Sequence, residues 1–111
     1  MRNLSGRLSK KIELWENVRT DEKNNLGMNI WHEQKIKSLW AEVRPQTGSL
    51  LTGRMAESEL SRTTHKIIIR YDAEVTAEKW FLCDGVRYNI LYVLNPYLKN
   101  DWLEVFCEVV I

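Results

Sequence analysis

The run WFLCDGVRYNILYVL, residues 80–94, decides the reading of this chain. Asp84 and Gly85 stand between two strand-like segments, and both residue types tolerate a positive φ, so the pair predicts a tight two-residue hairpin turn. After the turn, Val86, Tyr88, Ile90, Tyr92 and Leu94 alternate against Arg87 and Asn89 with the period of two that marks a strand. Leu91 and Val93 make the second face apolar as well, which suits a strand central in its sheet.

Working outward, the same period recurs on both sides. Toward the C-terminus, Leu103, Val105, Cys107, Val109 and Ile111 share one face of a strand while Glu104 and Glu108 share the other. Toward the N-terminus, His65, Ile67, Ile69 and Tyr71 alternate with Lys66, Ile68 and Arg70. Earlier still, Ile12, Leu14 and Val18 define a first strand, and Leu39, Ala41 and Val43 a second that ends at Pro45, where the missing amide stops the ladder. Asp21, Asn24, Asn25 and Gly27 between them read as a turn, with the second strand under way from about Trp31.

These signals predict an all-β fold of about six short strands. A sheet of that size must cover its apolar face and protect its edges, which leaves a small antiparallel β-barrel or a sandwich, and the barrel is the preferred reading. Short helix is compatible with two places, Arg54 to Ser61 and the surroundings of Ala77 and Glu78. No repeat or linker divides the chain, so residues 1–111 are expected to form one domain with a frayed N-terminus over residues 1–10.

Between the second and third strands the alternation stops. Residues 45–63 carry glycines, serines and threonines around Leu50, Leu51, Met55 and Leu60. Connections longer than roughly 12–15 residues are uncommon in compact domains and tend to be functional or disordered. This segment is therefore the first candidate for a working part.

Composition bounds the rest. The chain has 111 residues, 44% of them hydrophobic, with five Trp and four Tyr, which is too apolar for a disordered protein. A formal charge of +1 gives no global field toward nucleic acid or anionic lipid. Arg2, Arg7, Lys10 and Lys11 are followed by no apolar signal segment, and no run approaches the roughly 20 residues that span a bilayer, so a cytosolic site of synthesis and no membrane partner are expected. Cys83 and Cys107 lie far apart in strand-like runs and read as unpaired, buried thiols of a reducing compartment, which makes the Asn3-Leu4-Ser5 sequon a chance match.

No enzyme motif survives inspection. His32-Glu33 would open a zinc protease helix if a second His stood at position 36, but Ile36 stands there. The two Cys lack CxxC spacing, His65 lies on a strand away from either, and no phosphate-binding glycine loop occurs. No catalytic, cofactor-binding or metal-binding residue is assigned. A small barrel of the oligonucleotide-binding type stays open as the alternative, because aromatics beside basic residues can stack single-stranded bases. Its basic face would be Lys66 and Arg70 with Arg87 as a candidate third member, yet Glu42, Glu104 and Glu108 fall at comparable outward positions and favour a mixed-charge solvated face; Arg44, Lys66 and Arg70 are the candidate strand-face contacts.

The order of these segments resembles the phage head-tail joining family, the head-closure or stopper proteins of long-tailed phages and prophages. The resemblance runs from about Lys10 to Val110 and is carried by Trp40-Ala41-Glu42-Val43-Arg44-Pro45, by Thr64 to Tyr71 and by Asp84 to Ile90. Trp80 departs from it, since the family commonly has a basic residue there. The resemblance implies a non-enzymatic β-barrel without cofactors, found in the virion after assembly in the bacterial host cytoplasm. It implies a ring of identical subunits, dodecameric in the virion and compatible with a monomeric free chain. That ring would sit beneath the portal and adaptor protein, receive a tail-completion or tail-terminator protein, and enclose packaged DNA without sequence specificity. The channel-closing or subunit-interface residues implied are Gln46, Thr47, Gly48, Ser49, Leu50, Leu51, Thr52, Gly53, Arg54, Met55, Glu57, Glu59 and Arg62.

Overall fold

A computed structural model describes residues 6–23, 25–46 and 63–110. The strands are β1 (Lys10–Lys23), β2 (Asn29–Pro45), β3 (His65–Arg70), β4 (Trp80–Cys83), β5 (Val86–Leu94) and β6 (Trp102–Val110). They close into a fully antiparallel barrel in the order β1-β2-β3-β6-β5-β4, with β4 pairing back onto β1. Closure removes the free edges that a six-stranded open sheet would expose. The expected barrel is the observed one.

The period of two fills its interior. Ile12, Leu14, Ala41, Ile67, Ile69, Phe81, Cys83, Ile90, Leu103, Val105 and Cys107 form one buried cluster, and Val75 from the β3–β4 connection joins it. Phe81 is fully buried, and truncation of a phenylalanine so placed to alanine costs about 3–5 kcal/mol. At the hairpin, Asp84 (φ 53°) and Gly85 (φ 81°) both take the left-handed conformation that the two-residue turn requires.

Three local readings are corrected. In β5, Ile90 pairs with Cys107 while Tyr92 pairs with Phe106, so Leu91 is an extra residue. That bulge reverses the facing beyond it. Val93 turns onto the core, and Tyr92, expected on the face of Ile90, stacks instead on Phe106 with ring centroids 4.7 Å apart. Around Ala77 and Glu78 the backbone forms turns rather than helix, with the Lys79 amide donating to the Thr76 carbonyl because the buried Val75 and strand β4 leave no room for a helical run. The frayed terminus is narrowed as well: Leu8 is buried beside Ile68 on the outer wall, and Arg7 donates to the Glu42 carboxylate at 2.7 Å.

Strand register divides the loops between two ends of the barrel. The chain start, the β2–β3 connection and the Asp84-Gly85 turn lie at one end. The β1–β2, β3–β4 and β5–β6 connections lie at the other. At this second end β1 and β2 overrun the barrel: β4 stops pairing with β1 at Trp15 and β3 pairs with β2 only from Ala41 onward. The β1–β2 hairpin therefore projects as an arm. Glu16 to Lys23 at about 3.3 Å per residue spans about 25 Å, in keeping with overall dimensions of 51 × 33 × 28 Å.

Candidate assembly surfaces

At the first end, the long connection has a firmly built base. Pro45 pairs with His65, the Gln46 amide donates to the Thr64 carbonyl at 2.8 Å, and the Thr64 amide donates to the Cys107 carbonyl at 2.9 Å. Thr63, expected inside the loop, is fully buried, and Pro45 belongs to β2. Among the implied channel residues only Gln46 can be placed: it is half-buried at the root, while Thr47 to Arg62 lie outside the described residues. Beside this root the Thr64 hydroxyl accepts from the Val109 amide at 2.7 Å and sits 2.9 Å from His65 Nδ1. The His65 ring meets Tyr88 edge-on at 4.9 Å, and burial pushes its pKa below the ordinary 6.5.

On the outer wall, Arg44 and Lys66 are cross-strand partners, whereas Arg70 sits at the far end of β3 opposite Trp102. Arg44 faces Glu42 at 3.7 Å, and Lys66 faces Glu104 at 3.7 Å with its ammonium 6.0 Å from the Phe106 ring centroid. The structure thus joins two of the three predicted cations and balances both with carboxylates. Arg70 lines a separate cleft of about 250 Å³ with Trp40, Tyr71 and Asp72 at the arm end.

The arm is fastened where it leaves the barrel. Trp15 stacks beside Trp80, centroids 6.4 Å apart, and its indole N–H donates to Glu13 at 2.9 Å. That hydrogen bond is the leading reason the Glu13 carboxyl is held below its ordinary value. The Arg87 guanidinium lies 3.9 Å from the Trp80 ring centroid, donates through Nε to Asn89 at 2.8 Å and reaches Glu33 on the arm at 3.4 Å. On the inner side Lys37 crosses to Asp72 at 3.0 Å and to Glu74, and these carboxylates raise the Lys37 pKa, Glu74 first. Trp80 thus has a cation at its face although no cation stands at position 80.

Exposed apolar side chains gather at this same end. Leu26, Met28 and Trp31 lie on the arm, Trp40 and Tyr71 beside its root, and Leu94, Tyr97 and Leu98 at the β5–β6 connection. Only Val86 and Val110 among the described large exposed hydrophobics lie elsewhere. Tyr97, Leu98 and Asn100 all have positive φ, held in place by Asn95, whose side chain donates to Asn100 Oδ1 at 2.7 Å and accepts the Asn100 amide at 3.2 Å. The turn expected over Asp21 to Gly27 is shorter than that, since β1 continues to Lys23 and β2 begins at Asn29, and the arm these strands form has no signal in the sequence. Neither face of a ribbon in solvent needs to be apolar, so Arg19 to Lys23 carries no alternation to detect.

Cys83 and Cys107 are free and buried, and desolvation pushes both thiols up, Cys107 far more. Among the described residues no three His, Cys, Asp or Glu side chains converge as a metal site, and no helix is long and apolar enough to cross a membrane.

Comparison with known proteins places this architecture. The solution structure of protein SF1141 from Shigella flexneri 2a superposes with a TM-score of 0.72 at 22% identity, covering 94% of either chain. A chain in the virion of a native gene transfer agent particle superposes with a TM-score of 0.66 at 23% identity, covering 95% of this chain and 97% of its own. Both likenesses concern the fold. No curated protein matches the sequence. The family described as phage head completion protein matches residues 4–110, nearly the whole chain, and with a barrel of the expected topology the protein belongs to that family of virion structural proteins.

Proposed function

We propose that the protein is the stopper of a phage head-tail connector: a ring of copies beneath the portal and adaptor that retains packaged DNA and offers the surface on which a tail-completion or tail-terminator protein docks. The observation that carries this reading is the polarity of the barrel. One end bears the arm and most of the exposed apolar side chains, and the other bears the clamped root of the long connection. A connector subunit needs two such unlike ends, one for each neighbour along the axis. Exposed apolar patches on a folded domain are what protein partners cover.

In this reading residues 46–62 reach the channel or an adjoining subunit, and contacts with DNA are few and independent of sequence. A formal charge of +1 suits a wall that lets DNA pass. Virion structural proteins of this family act by assembly, and the chain is read as having no catalytic role.

The experiment is complementation. Phage lacking this protein should give full-sized heads without tails in electron micrographs, and added protein should restore joining. A chain with residues 47–62 replaced by a short Gly-Ser turn should fold but give heads that leak DNA or take no tail. Normal infectious particles in the absence of the protein would overturn the stopper reading, and normal particles with the shortened chain would remove the loop from it.

A further inference from the structure

We propose that Tyr97 and Leu98 of one copy seat in the cleft between Trp40 and Tyr71 of the next, a knob and a hole that link copies of this chain head to tail. The inference rests on the ring reading above and adds the contact that would hold such a ring together. Tyr97 and Leu98 are each 83% exposed, more than any other described large hydrophobic residue. Their backbone turns them outward: φ is 57° and 54°, a left-handed conformation that is costly for residues with a side chain. The paired hydrogen bonds between Asn95 and Asn100 hold that conformation, and strain maintained in this way is a mark of functional segments. The Lys99 ammonium stands 5.7 Å from the Tyr97 ring centroid and leaves most of the side chain in solvent.

The hole lies where two strands part. The ladder between β2 and β3 ends at Ala41 and Ile69, and beyond it the cleft of about 250 Å³ opens with Leu39, Trp40 and Tyr71 as its apolar walls. An apolar cavity of about 150 Å³ admits benzene, so this one has room for a phenol ring. Arg70 and Asp72 at the cleft already have partners within the chain, Asp72 taking Lys37, so the seat is apolar and no free charge is required of it.

A second copy is the occupant that fits. Knob and hole lie at the same end of the barrel, the knob on the β5–β6 connection and the hole between β2 and β3, with β3 and β6 between them in the strand order. Copies standing side by side at equal height can therefore bring the knob of one to the hole of the next. The two patches are unlike, so the contact is head to tail and closes into a ring if the rotation between copies permits. Its size suits that role. A buried aromatic covers about 150–250 Å², which even with Leu98 leaves the contact well below the roughly 1,200 Å² of a stable interface. One such link leaves free chains apart, whereas copies aligned on a template repeat it at every subunit.

Cross-linking tests this directly. Chains carrying Lys99→Cys, beside the knob, and chains carrying Ser38→Cys, at the cleft, are made separately; both positions are exposed, whereas Cys83 and Cys107 are buried. Heads lacking the protein are completed with either variant alone or with a mixture and treated with a short bis-maleimide. The expected result is a covalent dimer, at twice the 13.2 kDa subunit mass, from the mixture and its loss with either variant alone. Adding Tyr97→Asn and Leu98→Asn to the Lys99→Cys chain should abolish the dimer, because Asn accepts the left-handed backbone but removes the apolar knob. Dimer from one variant alone, or dimer that survives the two Asn substitutions, would overturn the knob-and-hole contact. Absence of dimer from the mixture, or a cross-link to a different virion protein in its place, would also overturn it while leaving the ring intact, provided that several copies of the chain are present in the purified particles. Absence of the protein from the particles would overturn the ring reading and this inference with it.

Discussion

Arg87 lies over Trp80, its guanidinium carbon 3.9 Å from the ring centroid, and through that contact an outward-facing tryptophan on β4 is 4% exposed. The same guanidinium holds Asn89 on its own strand and Glu33 on the arm. It thereby ties the packing of the barrel wall to the direction in which the arm leaves.

Replacing Arg87 by Ala should loosen that tie. Cation–π contacts contribute about 0.5–1 kcal/mol when exposed and about 2 when desolvated, and Arg87 is partly exposed, so a loss of about 1 kcal/mol is expected. Urea unfolding followed by tryptophan fluorescence measures it. Amide exchange should accelerate on the arm before it does in the barrel, and uniform acceleration would count against the tie.

Gly85→Ala should cost about 1–2 kcal/mol. The added methyl would meet nothing within 4 Å, so the whole penalty comes from the left-handed backbone at φ 81°. Asn in place of Gly should recover most of the loss, since Asn tolerates that region. Thermal unfolding of the three proteins decides the order.

Shortening the connection at residues 47–62 should leave a cooperative β-rich fold. Pro45 with His65, and the Gln46 amide with the Thr64 carbonyl, hold the two ends together whatever lies between. Halving a flexible loop changes closure entropy by only about 0.6 kcal/mol. Circular dichroism and denaturant unfolding test this, and failure to fold would mean the segment belongs to the core.

His65 should make the barrel sensitive to acid. Burial lowers its pKa below 6.5, so the folded chain holds the neutral ring beside Thr64 and Tyr88. A group depressed in the folded state contributes stability that is present above its unfolded value and is lost as pH falls through the folded value. Stability should therefore drop as pH is lowered through and below 6.5. His65→Gln should remove that part of the slope in thermal unfolding followed across pH, and an NMR titration should place the His65 midpoint below the ordinary value.

What the sequence determined by itself was local and periodic. Alternation at Ile67 and Ile69, and at Leu103, Val105 and Cys107, named the interior of the barrel because side chains on a strand take opposite faces in turn. Asp84-Gly85 named its turn because few residues accept a positive φ. Segment order was enough to suggest the family. Tertiary structure alone decided the rest. One inserted residue at Leu91 turns Val93 inward and Tyr92 outward, and nothing in the residue types marks the place, because Leu91 and Val93 are apolar like their neighbours. The arm stayed hidden for the complementary reason: strands that leave the barrel lose the buried face that writes a pattern into sequence. Which loops share an end, and hence the polarity of the connector surface, followed only from the register of six strands closed on one another.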